Sequence, residues 1–96
     1  MPGYTDTEEI GDALRALMAR GIETSVTLHI PSSQEIIKGV LIPESCQTEG
    51  EKIRVAYRGS DGETCFCYWA PANATLPAGY RRITQLEVGR PDKPTP

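Results

Sequence analysis

The three cysteines and the single histidine are the residues of this sequence best suited to binding a metal. Cys65 and Cys67 are two positions apart, so in a β-strand their thiols would share one face, about 6 to 7 Å apart. A tetrahedral zinc site needs four ligands, and Cys46 and His29 are the further candidates. The alternative, which we favour, is that the cysteines are small buried residues packed beside Trp69. We therefore predict no metal site and no cofactor.

His29 and the Ser45-Cys46 pair also raise the question of catalysis. A catalytic histidine needs a nucleophile and an orienting acid, and adjacency in the sequence supplies neither. No glycine elbow flanks Ser45 or Cys46, and the sequence has no glycine-rich loop of the kind that holds a phosphate. We therefore predict that the protein binds another molecule and is not an enzyme.

A second group of residues combines cations with aromatic rings in the second half of the chain. Its members are Arg54, Tyr57, Arg58, Trp69, Tyr80, Arg81 and Arg82, with Lys52 beside them. If strands bring these side chains to one face, the surface could stack bases or bind phosphates, and Trp and Tyr are also common anchors of protein interfaces. The alternative, which we favour, is a solvated strand face whose cations are balanced by carboxylates across the sheet.

The first element that the sequence predicts is an amphipathic helix, because apolar side chains recur at helical spacing over residues 10–18. Thr5 followed by Glu8 is a capping-box pattern, and Asp6 and Thr7 are the alternative caps. The acids of the first turns are Glu8, Glu9 and Asp12. They form a candidate docking face, but we favour the alternative that they compensate the helix dipole.

After Gly21 the apolar period changes from about 3.6 residues to 2, which predicts β-strands. Five segments are predicted as strands, namely SVTLHIP, EIIKGVLIP, KIRVAYR, ETCFCYWA and YRRITQLEV, of which the second and the fourth are apolar on both faces. The sequence Gly59-Ser60-Asp61-Gly62 predicts a hairpin turn between the third and the fourth. In the fourth segment we predict Phe66 and Tyr68 in the core, whereas Trp69 is equally compatible with the core and with an interface.

These elements predict a mainly β fold of the α+β class. The N-terminal helix is followed by a five-stranded antiparallel sheet that is strongly bent or forms a small Sm-like barrel. Residues 5–89 are predicted to form a single domain, residues 1–4 an N-terminal arm, and residues 90–96 a disordered proline-rich tail. In the last strand Ile83 is out of phase with Leu86, which predicts a β-bulge.

Composition and termini predict where the protein is found. The sequence has no apolar run of about 18 residues, and its start, MPGYTDTEE, is acidic where a signal peptide is basic and then apolar. Three cysteines are an odd number without disulfide spacing, which is typical of a reducing compartment. We predict a cytoplasmic protein that does not associate with membranes.

The plan of one helix and five strands resembles the Sm-like or SH3-like small β-barrel. In KGVLIPES, residues Gly39, Leu41 and Glu44 are similar to the glycine, hydrophobic and acidic positions of the first Sm motif. The segment Tyr80-Arg81-Arg82-Ile83 departs from the second Sm motif, which has isoleucine-arginine-glycine. The order of elements also resembles the small acidic Rho-binding antiterminators, which implies a transcription factor as partner instead of RNA.

Ten Lys and Arg against thirteen Asp and Glu give a net charge of -3, which disfavours a broad nucleic-acid footprint. Our leading hypothesis is a small regulatory protein that binds another protein, in the transcription or RNA machinery, through the barrel or the acidic helix face and without catalysing a reaction. One alternative is an Sm-like module that binds RNA or single-stranded nucleic acid. The other is a small-ligand or metal-binding protein with a pocket near Cys65, Cys67 and His29. Edge strands would also allow a homo-oligomer.

Overall fold

Residues 3–91, the part of the chain that the computed structural model describes, contain one α-helix, seven β-strands and two single-turn 3-10 helices, Pro31–Ser33 and Pro43–Ser45. In chain order the α-helix and the strands are β1 (Gly3–Tyr4), α1 (Thr7–Arg20), β2 (Thr24–Ile30), β3 (Glu35–Leu41), β4 (Gln47–Glu49), β5 (Lys52–Arg58), β6 (Thr64–Trp69) and β7 (Gln85–Pro91). The predicted mainly β class is confirmed, and all five predicted strands are present. The predicted number of strands is wrong, because the short strands β1 and β4 were not anticipated. No helix within residues 3–91 is long and apolar enough to cross a bilayer.

The strands form one antiparallel sheet in the order β1-β7-β2-β3-β5-β4. β3 and β4 share one edge of β5, and β6 pairs with its other edge. Within the described residues, an isolated parallel bridge between Tyr68 and Arg82 joins β6 to the segment that leads into β7. A closed barrel needs a continuous ladder at that place. The sheet is therefore open, and the predicted barrel is not confirmed.

Helix α1 begins and ends at local signals in the sequence. The Asp6 carboxylate accepts a hydrogen bond from the Glu9 N–H at 3.1 Å, so Asp6 is the cap among the three candidates. Gly21 adopts a φ of 70°, and its N–H donates to the Leu17 carbonyl, which closes the last turn. The apolar face of the helix then packs against the inner face of the sheet.

Trp69 joins the helix to the sheet. Its side chain is 1% exposed, and its indole N–H donates to the Thr7 carbonyl at 2.8 Å. A Cβ atom on Gly11 would lie 2.4 Å from the indole ring, so the helix comes this close only because residue 11 has no side chain. The Arg15 guanidinium lies over the ring, 5.1 Å from its centroid. Trp69 is thus a core residue and does not belong to an exposed binding surface.

The two faces of β6 have opposite environments. Cys67 and Trp69 are buried in the core, whereas Phe66 is 41% exposed and Tyr68 is half-buried. The prediction that Phe66 and Tyr68 are core residues is therefore wrong. Successive side chains of a strand point to opposite faces, so burying Cys67 and Trp69 directs their neighbours outward.

Strand β7 differs from the predicted last strand at both ends. It begins at Gln85, and Ile83 lies in the preceding segment, where its N–H donates to the Tyr68 carbonyl at 2.8 Å. The change of phase after Ile83 therefore marks the start of the strand. β7 extends to Pro91, two residues beyond the predicted end of the domain. The rest of the predicted tail, residues 92–96, and residues 1–2 of the predicted arm lie outside the described residues.

The contact between Gly11 and Trp69 predicts that Gly11→Ala destabilises the protein, although alanine favours a helix interior by about 1 kcal/mol over glycine. The added methyl group would overlap three atoms of the buried indole, so the cost of overpacking, at the upper end of about 1 to 3 kcal/mol, should exceed the gain in helix propensity and lower the free energy of unfolding by about 1 to 2 kcal/mol net. Urea unfolding measures the change. The matched control is Asp12→Ala at the next, exposed position, which should stay within about 0.5 kcal/mol of the wild type. A Gly11→Ala variant as stable as the wild type would contradict this packing.

Candidate binding surface

The predicted group of arginines does not form one exposed cationic strip. Arg58 donates to the Glu23 carboxylate at 2.7 Å. Arg82 donates to three carbonyl oxygens within residues 70–74, at 2.7 to 3.0 Å. Arg58 thus ties β5 to the segment that follows the helix, and Arg82 holds the loop that follows β6. Both guanidinium groups are engaged with the protein's own oxygens.

Arg81 connects three strands through one side chain. Its guanidinium donates to the Glu35 carboxylate at 3.0 Å, to the Tyr57 hydroxyl at 2.8 Å and to the Phe66 carbonyl. The Ser33 hydroxyl and then Arg81 hold the pKa of Glu35 below its ordinary value, so the carboxylate stays ionised opposite the guanidinium. Tyr57 is buried. Neither Tyr57 nor Arg81 therefore forms part of an open cationic face.

A different set of side chains forms an exposed surface, which we call the aromatic patch. It consists of Lys52, Arg54, Phe66, Tyr68 and Tyr80. The Arg54 guanidinium lies 4.6 Å from the centroid of the Phe66 ring, and the Lys52 ammonium lies 5.7 Å from that of Tyr80. Both distances are within the range of cation-π interactions. The rings of Tyr68 and Tyr80 have centroids 4.4 Å apart and are tilted by 34°.

The hairpin of β5 and β6 positions the aromatic patch. Its antiparallel register pairs Arg54 with Tyr68, and side chains paired in this way project from the same face of the sheet. Phe66 projects from that face too, because it is two residues from Tyr68. The loop after β6 returns so that the Tyr68 N–H donates to the Arg81 carbonyl at 2.8 Å. This bond places Tyr80 beside Tyr68.

The aromatic patch exposes flat apolar rings edged by polar groups. Phe66 is 41% exposed and Tyr80 is 37% exposed. Desolvation raises the pKa of the Tyr68 hydroxyl above its ordinary value, and Tyr80 and Glu49 raise it further. The hydroxyl therefore stays protonated at neutral pH and is available as a donor. The Arg54 Nε atom is buried without a hydrogen-bond partner in the described part of the chain.

The predicted surface and the aromatic patch overlap at Arg54 and Tyr80, with Lys52 beside them. Phe66 and Tyr68 were missed because the segment FCYWA is apolar on both faces, which was interpreted as burial of both. The predicted hairpin turn at Gly59–Gly62 implies a strand register in which Arg54 pairs with Tyr68. That register would have shown that the two side chains share the outer face of the sheet.

The residues considered as metal ligands are dispersed. Within residues 3–91, no group of three or more His, Cys, Asp or Glu side chains is arranged to hold an ion. His29 Nε2 lies 3.5 Å from a Glu87 carboxylate oxygen. Cys46 is buried, donating to the Ile42 carbonyl at 3.4 Å and accepting from the Ala56 N–H at 3.3 Å. Cys67 is also buried, while Cys65 is half-buried on the same strand.

The acidic helix face lies apart from the aromatic patch. Glu8, Glu9 and Asp12 are exposed on α1, and Asp12 lies 3.5 Å from Arg15. Glu8 and Glu9 occupy the first turn, where the positive end of the helix dipole stabilises negative charge. The helix covers the inner face of the sheet and the aromatic patch lies on the outer face, so one flat partner surface would not contact both.

The buried thiol of Cys67 predicts a loss of stability at alkaline pH. Burial raises its pKa from the ordinary 9.0 to about 12, so the folded state keeps a proton that the unfolded chain releases above pH 9. The contribution of this difference in pKa to the free energy of unfolding is complete below pH 9. It is lost as the pH rises toward 12, at up to about 1.4 kcal/mol per pH unit.

Urea unfolding of the wild type and of Cys67→Ala, from about pH 8 to about pH 11, measures this dependence. The wild type should lose stability more steeply, because Cys67 titrates in the wild type alone. Burial also raises the pKa values of Cys46 and Tyr57, but these groups titrate in both proteins, so their effect cancels in the comparison. The difference at neutral pH reports lost packing and serves as the baseline. Parallel pH curves for the two proteins would contradict a buried, protonated Cys67.

Comparison of the chain with protein-family models, with curated proteins and with solved structures found no match. The resemblance to Sm-like barrels and to the Rho-binding antiterminators therefore stays a prediction.

Proposed function

We propose that this protein is a small, non-enzymatic binding module that contacts another protein through the aromatic patch. The observation that carries this proposal is the outward display of Phe66, Tyr68 and Tyr80 on one sheet face, with Lys52 and Arg54 against the rings. Aromatic residues and arginine dominate the energetic centres of protein interfaces, because they bury much area and lose little conformational freedom.

The rings of the aromatic patch are held in place before any partner binds. Tyr68 is fixed by the β5–β6 ladder and by its backbone bonds to the segment containing residues 81–83. Tyr80 is fixed by contact with Tyr68 at 4.4 Å, and Phe66 is covered on one side by Arg54. Preorganised side chains lower the entropic cost of association. This surface is suited to recognition without a conformational change.

The distribution of cations favours a protein partner over a nucleic acid. Proteins that bind nucleic acid with useful affinity neutralise several phosphates, commonly about 6 to 10. Arg58, Arg81 and Arg82 are engaged with oxygens of the protein itself, which leaves two patch cations, Lys52 and Arg54. Glu49 is the register partner of Lys52, so the local charge is nearly balanced. A protein surface meets these conditions better than a phosphate backbone.

The resemblance to Sm-like proteins belongs to the same proposal. A single bridge between Tyr68 and Arg82 links β6 to the segment that leads into β7, and this contact supports an Sm-like arrangement of the strands. The resemblance to the Rho-binding antiterminators supports a partner within the transcription machinery.

Affinity capture with variants of the aromatic patch tests the proposal. The wild type, Phe66→Ala and Tyr80→Ala serve as baits in the same lysate, and quantitative mass spectrometry compares what each retains. We expect at least one protein to be retained by the wild type and reduced by about thirtyfold with each variant, because truncating an interface anchor costs about 2 kcal/mol or more.

The matched control is Ile36→Ala, which removes a side chain that is 66% exposed on β3, away from the aromatic patch. It should retain the same protein as the wild type. Fluorescence anisotropy with a single-stranded oligouridylate at low salt tests the alternative function. Oligonucleotide binding that weakens steeply with salt and is lost in Arg54→Ala would replace the proposal with nucleic-acid binding. Capture of the same proteins in equal amounts by the wild type, Phe66→Ala and Tyr80→Ala would overturn it.

A further inference from the structure

A concave surface with a volume of about 560 Å³ lies near Arg58, the last residue of β5. Strands β2, β3 and β7 and the turn between β5 and β6 line it. The residues that define this surface, which we call the basic cleft, are Ser25, Lys38, Gly39, Arg58, Gly89 and Arg90. It does not include any residue of the aromatic patch, and its function does not depend on that of the patch.

Two glycines bring together the strands beneath the basic cleft. A Cβ atom on Gly39 would lie 2.7 Å from the Arg58 carbonyl oxygen, and one on Gly89 would lie 3.1 Å from that of Ser25. Each glycine therefore allows two strands to approach closely. Gly39 pairs with the buried Val26, so its contact with β5 lies on the core side of the sheet, and Ser25, Thr27 and Val40 contribute to the floor of the cleft.

The walls of the basic cleft carry more positive than negative charge, in a protein whose net charge is -3. Lys38, Arg58 and Arg90 come from three different strands. The carboxylate that lines the cleft is Glu87, and one of its oxygens lies 3.5 Å from His29 Nε2. Lys38 and Arg90 are exposed, so their charges are accessible to a ligand even though Arg58 binds Glu23.

We propose that the basic cleft binds an extended, acidic peptide segment of a partner protein. An extended peptide projects alternate side chains to one face, about 7 Å apart, so carboxylates along it can reach both Lys38 on β3 and Arg90 on β7, which lie on either side of β2. Guanidinium and carboxylate groups also match in geometry. Neighbouring strands are about 4.8 Å apart, so β3 and β7 are separated by about twice that distance, which a peptide can span and a compact phosphate cannot.

Fluorescence anisotropy with a labelled peptide of alternating glutamate and glycine tests this assignment. Binding to the wild type should weaken with salt, because the attraction is between exposed charges. Lys38→Glu and Arg90→Glu should each weaken binding by about tenfold, and the double variant by more. The matched control, Arg20→Glu at the exposed end of α1 and outside both surfaces, should stay within about twofold of the wild type. Far-UV circular dichroism confirms that each variant is folded.

Two further probes separate the ligand chemistries. The same peptide with glutamine in place of glutamate should not bind, and inorganic phosphate should compete only at concentrations where it screens charge generally. Equal binding of the glutamine peptide, or an equal loss from Arg20→Glu, would overturn the assignment of the cleft. Competition by phosphate well below such concentrations would overturn the peptide and identify an anion site. Because capture by the aromatic patch is measured separately, failure here leaves the proposed function intact.

Discussion

The contact between the Trp69 indole and Gly11 is the constraint on which the rest of the structure depends. It brings the helix against the inner face of the sheet, while the bond from the indole N–H to Thr7 fixes the first turn of the helix. Because strand side chains alternate, the burial of Trp69 and Cys67 commits Phe66 and Tyr68 to the outer face. The packing of Trp69 against Gly11 therefore determines both the core and the side chains that form the candidate binding surface.

The arginines illustrate how a fold distributes charge between structure and recognition. Arg81 and Arg82 donate hydrogen bonds to partly buried oxygens of the protein, which would otherwise lack a partner. These bonds hold the segment containing residues 81–83 against β6. Arg54 instead lies over the Phe66 ring. A guanidinium on an aromatic face keeps its edge free for a partner's acceptors. The number of cations in the sequence therefore overstates the number that a ligand could meet.

The outer face of β5 carries both candidate sites, the aromatic patch toward its start and the basic cleft at its end. The two sites differ in physical character. The aromatic patch offers rigid rings, whose binding energy comes mainly from desolvation. The basic cleft offers exposed cations, Lys38 and Arg90, whose contribution to binding is electrostatic and falls with salt. A partner with an apolar anchor and an acidic extension would use both.

The sequence by itself determined the helix and the presence of the five longer strands, because their signals are local. The helix ends at Gly21 through its left-handed conformation, and the alternation of apolar residues in β2 and β5 defines strands without reference to other parts of the chain. Only the tertiary structure decided which apolar face of β6 is buried, since FCYWA is apolar on both sides and Gly11 lies far from it in sequence. It also decided which arginines are exposed, because their partners, such as Glu35 for Arg81 and residues 70–74 for Arg82, are brought near by long-range packing. Local patterns carry no information about such distant contacts.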